Sequence, residues 1–106
     1  MQILALLRTL STATPSRLAP LVKPEAAEIW ALHLNGTLRA AHFLQAPDTP
    51  FPSGVVLMLE TDTTATAEAL IAALPMVAEG LITAEILPLA PFTSYAALFA
   101  NTPVRV

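Results

Sequence analysis

Two side chains near the middle of the chain, Arg39 and His42, are the first candidates for chemistry. His42 lies in an otherwise apolar stretch, and an imidazole can exchange a proton at neutral pH, so it is a candidate catalytic residue. The competing interpretation is a histidine satisfied within the core or an interface. Arg39 can hold a carboxylate or an enolate through two parallel hydrogen bonds, which makes it a candidate substrate-binding residue. Its competing interpretation is a salt bridge to Glu60 or to an acid of the first helix.

Two carboxylates and one indole complete the candidate set. Glu85 interrupts a hydrophobic stretch, so it is a better candidate than Glu60 for a buried carboxylate that acts as a general base. Glu25 lies in the first turn of a predicted helix, where interaction with the helix dipole alone accounts for an acid. Trp30 lies on the same helix at core spacing, which predicts packing in the core or at the rim of a site, where it is a candidate for substrate binding.

The elements that must position these residues follow from hydrophobic periodicity and from proline and glycine. Pro24 suits the first turn of a helix but not its interior, and Gly36 lies where a helix ends. The predicted elements are strand one over 2–9, a short turn over 15–19, the main helix over 24–35, strand two over 37–46, strand three over 55–60, helix two from a cap at Asp62 or Thr63 to 74, strand four over 81–87, and a tail from 93 with one helical turn near 95–99.

This order predicts the α+β class, with a ferredoxin-like βαββαβ domain over 1–92, a four-stranded antiparallel sheet and a C-terminal tail over 93–106. Strands one and three are apolar on both sides, although only one face of the sheet packs under the helices. We therefore expect a second copy of the chain to cover the other face, which would give a homodimer of the dimeric α+β barrel type.

The composition and net charge of the sequence argue against two classes of partner, membranes and nucleic acids. Hydrophobic residues make up 55% of the sequence and charged residues 12%, yet no apolar run approaches the ~20 residues of a membrane-spanning helix. The apolar run over 3–7 is too short for a signal peptide, so we expect a cytoplasmic protein without a membrane partner. The net charge is −3 and the five cations are spread along the chain, which argues against nucleic acid.

Cofactor sites are not indicated either. The three glycines lie far apart, so no glycine-rich phosphate loop is possible. The chain has no cysteine, and its two histidines, His33 and His42, have no carboxylate at ligand spacing, which is a poor basis for a metal site. We expect neither a cofactor nor a metal.

Several short motifs occur in order along the chain: Lys23 and Glu25 at the start of the main helix, Gly36 followed by Leu38 and Arg39, and the pairs Leu74-Pro75 and Pro88-Leu89. With these motifs the chain resembles the muconolactone isomerase family over about 21–89. The resemblance implies a small protein of this topology that dimerises sheet to sheet and moves a double bond within a lactone by proton transfer. It also implies a catalytic role for Glu25 and a position for Arg39 near the pocket mouth.

The function predicted on this basis is binding of a small organic acid or lactone, with cofactor-free proton-transfer isomerisation as its chemistry. A non-catalytic ligand-binding or assembly module is the alternative, because Ala40, Ala41 and Leu44 leave His42 as the main polar group of its face. A cofactor-independent monooxygenase is a third possibility, since such enzymes share the dimeric fold. Strand alternation puts Arg39 and His42 on opposite faces, so a bulge, a bend or a partner chain must bring both to one ligand.

Overall fold

Four antiparallel strands form one sheet in the order β2-β3-β1-β4 in the computed structural model, which describes residues 1–49 and 51–99. The strands are β1 (Gln2–Thr9), β2 (Leu38–Leu44), β3 (Gly54–Glu60) and β4 (Ile82–Pro88). The helices are α1 (Pro15–Leu18), α2 (Val22–Leu34), α3 (Thr64–Ala72) and α4 (Pro75–Ala78), with short 3₁₀ helices over Ala19–Leu21 and Thr93–Leu98. The predicted ferredoxin-like α+β fold is confirmed.

In both β-strand, helix, β-strand repeats of this fold, a glycine follows the last helix before the next strand. Gly36 follows α2 with a φ of 81°, and Gly80 follows α4 with a φ of 74°. Both lie in the left-handed region, which costs a residue with a Cβ about 1–2 kcal/mol and suits glycine. Each glycine turns the chain back toward the next strand of the sheet.

The helix starts differ between the repeats. The side chain of Thr63 accepts a hydrogen bond from the backbone N–H of Thr66, which caps α3 as the sequence predicts. Helix α2 has no side-chain cap, and it begins at Val22 rather than at Pro24. Pro24 is the third residue of that helix, where its missing N–H would have had no intrahelical partner in any case.

The main core lies between the sheet and the helices. Its centre is formed by alternate residues of the two middle strands that are almost completely buried: Ile3, Ala5, Leu7, Leu57 and Leu59. Helix α3 adds Ala67 and Ile71 to this core, and α2 adds Leu32. Because side chains alternate across a strand, the intervening residues of β1 and β3 point to the opposite face of the sheet.

That opposite face, here called the open face, is only partly buried in one copy of the chain. Its apolar side chains are Leu4, Leu6, Leu44, Val56, Met58 and Leu87. No helix of the described residues covers it extensively, since the helices contact the sheet from the core side. The apolar character of both strand faces, predicted from the sequence, is therefore present.

The register of β2 changes at Arg39. Leu38 faces Leu59 while Ala40 faces Met58, so Arg39 is an extra residue between them. This bulge puts buried Leu38 on the core side with Ala41 and Phe43, whereas simple alternation predicts Leu38 on the side of His42. A bulge of the kind considered in the sequence argument is thus present in β2, and that it brings Arg39 and His42 to one ligand stays a prediction.

The segment after β4 differs little from its prediction. The single turn expected near 95–99 is a 3₁₀ helix over Thr93–Leu98, in which the rings of Phe92 and Tyr95 meet edge to face at 4.9 Å. The remaining part of the predicted tail, 100–106, lies outside the described residues. None of the helices in the described parts of the chain is long and apolar enough to cross a membrane.

Candidate functional site

A cleft of about 470 Å³ opens between α2 and the β2 edge of the sheet. Its lining is mostly apolar: Ala26, Ile29 and Trp30 from α2, and Leu38, Ala40, Ala41, Phe43, Val55 and Leu57 from the strands. The titratable residues along it are His33, Arg39 and His42. An apolar cleft with a few polar groups is the usual form of a small-molecule site.

Arg39 reaches the cleft from the β2 bulge. Its Nε donates a hydrogen bond of 2.8 Å to the carbonyl oxygen of Gly36, which fixes the near end of the guanidinium group. Within the described residues it makes no salt bridge, and Glu60, its expected partner, instead lies 3.0 Å from the N-terminal amine of Met1. The two terminal nitrogens of Arg39 therefore have no protein partner among the described residues.

One wall of the cleft carries two stacked rings. The rings of Trp30 and His33 lie one helical turn apart on α2, with centroids 5.0 Å apart and an angle of 29° between their planes. Trp30 is 59% exposed, so it lies at the rim and is not a core residue. His33 was missed as a site residue in the sequence, although its i, i+3 spacing from Trp30 was a usable signal.

His42 borders the same cleft, but its side chain belongs to the other side of the strand. It pairs with Val56, whose side chain lies on the open face, whereas its neighbours Ala41 and Phe43 pair with core-side positions. Arg39 and His42 both lie on β2, an edge strand, and both border the cleft. A catalytic role for His42 stays a prediction.

Glu25 lies away from the cleft lining and is only 8% exposed. Its Oε1 accepts a 3.1 Å hydrogen bond from the backbone N–H of Met76 at the start of α4. Burial raises the pKa of the Glu25 carboxyl, the hydrogen bond from Met76 opposes that rise, and the charge of Glu28 adds to it. In this position Glu25 caps the start of α4, and a catalytic role for Glu25 stays a prediction.

Glu85 is exposed, so the expectation of a buried carboxylate at this position is wrong. The reason is the sheet order, because β4 is an edge strand and Glu85 points to the open face beside Leu6. Neither carboxylate of the candidate set lines the cleft. Of the five predicted site residues, the structure brings together Arg39, His42 and Trp30.

A second groove, of about 530 Å³, lies at the opposite edge of the sheet, between α3, α4 and β4. It is lined by Glu68, Ile71, Ala72, Val77, Ile82, Thr83, Ala84 and Ile86, so the described part of the chain gives it one carboxylate and no cation. Across residues 1–49 and 51–99, no three histidine, aspartate or glutamate side chains are grouped so that they could hold a metal ion.

Comparison with known proteins gives a fold relative but no family. No family model matches the chain, and no curated protein matches it. Among solved structures the chain is similar to a 5-chloro-2-hydroxyhydroquinone dehydrochlorinase from Burkholderia phenoliruptrix AC1100 in complex with 2,5-dihydroxybenzoquinone. The TM-score is 0.61 at 17% identity, over 85% of this chain and 94% of the dehydrochlorinase chain. At this identity the likeness establishes the shared fold.

Proposed function

We propose that this protein binds a small, largely apolar organic acid or lactone in the cleft between α2 and β2. The observation that carries the proposal is the guanidinium group of Arg39, which is held at its Nε and has two unpaired terminal nitrogens at an apolar cleft. Such a fork matches the two oxygens of a carboxylate or the oxygen of an enolate. The exposed rings of Trp30 and Phe43 provide flat apolar surfaces for the body of the ligand.

We further propose proton-transfer isomerisation as the chemistry, without a cofactor. Arg39 would stabilise negative charge on the ligand oxygen while a histidine moves a proton between two carbon atoms. His33 and His42 are the residues along the cleft that can serve as this acid and base. The sequence resemblance to muconolactone isomerases and the ligand named for the fold relative, a small quinone, support a compact ring as substrate.

A second candidate function is ligand binding without catalysis. It is favoured by the lining of the cleft, in which the described residues include no carboxylate, since Glu25 caps α4 and Glu85 lies on the open face. In this version Arg39 and the rings hold the ligand and no proton is transferred. The two candidates predict the same binding and differ only in turnover.

The experiment that tests both is a titration of the full chain with muconolactone and with benzoate, followed by NMR in deuterated water. Binding should shift the ring signals of His33 and the indole signal of Trp30, and Arg39→Ala should weaken it. Deuterium incorporation into muconolactone would support isomerase chemistry, whereas binding without incorporation would support the second candidate. No shift at Trp30 or His33 with either probe would contradict the proposal itself.

We also propose that the protein is a homodimer in which the open face of each copy is covered by the other. The support is the row of apolar side chains that alternates with the core residues on β1 and β3. Light scattering at micromolar concentration is the direct measurement. A monomer over that range would contradict this proposal and leave the cleft proposal in place.

A further inference from the structure

The open face has apolar residues at its centre, and its charged or titratable residues, Arg8, His42, Glu60 and Glu85, lie at its perimeter. The register aligns His42, Val56, Leu6 and Glu85 in one row across β2, β3, β1 and β4. The titratable residues of that row are thus at its two ends, on the two edge strands. An apolar centre with a polar rim is the usual composition of a protein interface.

The size of the face suits a second copy of the chain. Four strands about 4.8 Å apart and seven residues long at about 3.4 Å each give a face of roughly 19 by 24 Å. Two such faces cover about 900 Å² by flat projection, and more with corrugated side chains, which approaches the roughly 1,000 Å² that a biological interface should exceed. Sheets that pack in this way keep their strands within about 30° of each other at a separation of about 10 Å.

Two twofold axes in the plane between the sheets would allow this packing, and the charges distinguish them. An axis across the strands puts each strand over its own copy, so that Glu85 faces a second Glu85 and Arg8 faces Leu4. Like charges in contact and a cation over an apolar side chain both oppose binding.

An axis along the strands gives the opposite result. It puts β2 over β4 of the second copy and β3 over β1. Each row of residues across the sheet then lies over the same row of the second copy. His42 then faces the second Glu85, Val56 faces Leu6, and Met58 faces Leu4. In the adjacent row Gly54, which has no side chain, faces Arg8 and leaves room for it.

We infer that the dimer has its twofold axis along the strands, with His42 of each copy paired with Glu85 of the other. This inference rests on the homodimer proposed above, and it assigns His42 to the interface, which leaves His33 as the histidine for the proton transfer proposed at the cleft. It gives Glu85, the acid that the cleft does not use, a role in assembly. It also gives the imidazole of His42 a carboxylate partner on the open face, where the pairing of His42 with Val56 places it.

Charge exchange tests this pairing through the dimer dissociation constant, measured by sedimentation equilibrium. His42→Glu should weaken the dimer on the order of tenfold or more, because it puts two carboxylates in contact at two symmetric positions. Adding Glu85→Lys to that variant should restore the dissociation constant to about the wild-type value, since the opposite charges then face each other again. Ala27→Glu, on the exposed side of α2, adds the same charge and should leave the dimer unchanged.

Several outcomes would overturn the inference, and they separate it from the other proposals. If the double variant stays as weak as His42→Glu, the axis lies across the strands although the dimer stands. If His42→Glu dimerises like the wild type, the pair does not exist. A monomeric wild type would overturn both the pair and the dimer, whereas ligand titration reports on the cleft separately. Circular dichroism of each variant checks that a weakened dimer is made of folded chains.

Discussion

The two edges of the sheet make an informative comparison, because the fold provides a groove at each of them. The cleft of the first repeat lies between α2 and β2, and the groove of the second lies between α3, α4 and β4. Their volumes are similar, at about 470 and 530 Å³. Among the residues that the structure describes, only the first contains a cation and stacked rings, whereas the second has Glu68 as its charged residue.

The difference shows that the fold supplies the cavity and that a few residues supply the chemistry. In the first repeat the β2 bulge directs Arg39 toward the cleft, and α2 presents Trp30 and His33 on adjacent turns. In the second repeat β4 pairs with β1 over Ile82–Pro88 without a register shift, so no side chain is redirected in this way. A ligand with a negative oxygen should therefore distinguish the two grooves.

The largest expected effect concerns what the two grooves share, which is the core beneath them. Leu57 is 0% exposed below the first and Ile71 is 1% exposed below the second. Leu57→Ala and Ile71→Ala should each lower the free energy of unfolding by about 2–5 kcal/mol, since each leaves a cavity. Denaturant unfolding measures both. A cost under about 0.5 kcal/mol for either would mean that its groove does not lie on the common core.

The next effect separates the two grooves. Arg39→Ala should weaken binding of benzoate or muconolactone about 10- to 100-fold, because a hydrogen bond to a charged group contributes about 1.5–3 kcal/mol. Calorimetric titration provides the affinity. Arg17→Ala is the matched control, since that guanidinium contacts the carbonyl of Thr12 in a distant exposed turn. Equal losses in both variants would indicate a general charge effect and would contradict a specific site at Arg39.

A smaller effect concerns the N-terminal cap of α3, the helix of the second repeat. Thr63→Ala should lower the free energy of unfolding by about 1 kcal/mol, because the backbone N–H of Thr66 loses its cap. Thr63→Ser keeps a hydroxyl acceptor and should cost much less. Thermal and denaturant unfolding of the two variants provide the difference. If both variants cost the same, the methyl group and not the cap is what matters at this position.

The smallest expected effect tests the contact that joins the repeats, from Glu25 on α2 to Met76 on α4. Because burial raises the pKa of Glu25, the folded chain retains this proton at pH values where the unfolded chain has released it. Its contribution to stability therefore falls as pH rises from the ordinary range of a glutamate through the raised pKa. Glu25→Gln keeps an oxygen acceptor for Met76 and removes this dependence.

Unfolding of wild type and Glu25→Gln from about pH 4 to pH 8 is the measurement. The stability of Glu25→Gln relative to wild type should increase with pH over that interval. Glu68→Gln is the control, because Glu68 is an exposed acid on α3 and its charge is not among the influences on the pKa of Glu25. A difference that stays constant or decreases with pH would contradict burial as the dominant influence on Glu25.

The order of the elements was predictable because its signals are local. Alternation over a strand, helical spacing and Gly36 at a helix end each depend on neighbours along the chain. The cap at Thr63 belongs to the same class. The predicted turn after Leu74 is instead the helix α4, which Pro75 can begin because a proline suits the first position of a helix.

The site was predictable only in part, because its geometry depends on pairing between strands. The sequence singled out Arg39 and Trp30, which line the cleft, yet not His33, whose ring stacks on Trp30. It also treated Glu85 as buried. Burial of a strand residue depends on whether its strand is central or at an edge, and only the sheet order establishes that β4 is an edge strand.

The sequence by itself thus determined the fold class, the strand and helix order and the apolar character of both sheet faces, since these follow from periodicity over a few residues. The tertiary structure decided where the bulge lies in β2, that Glu25 caps a helix 51 residues away, and that His42 and Glu85 lie in one row. These are relations between segments distant in sequence, and they are set by register and by packing of the whole core.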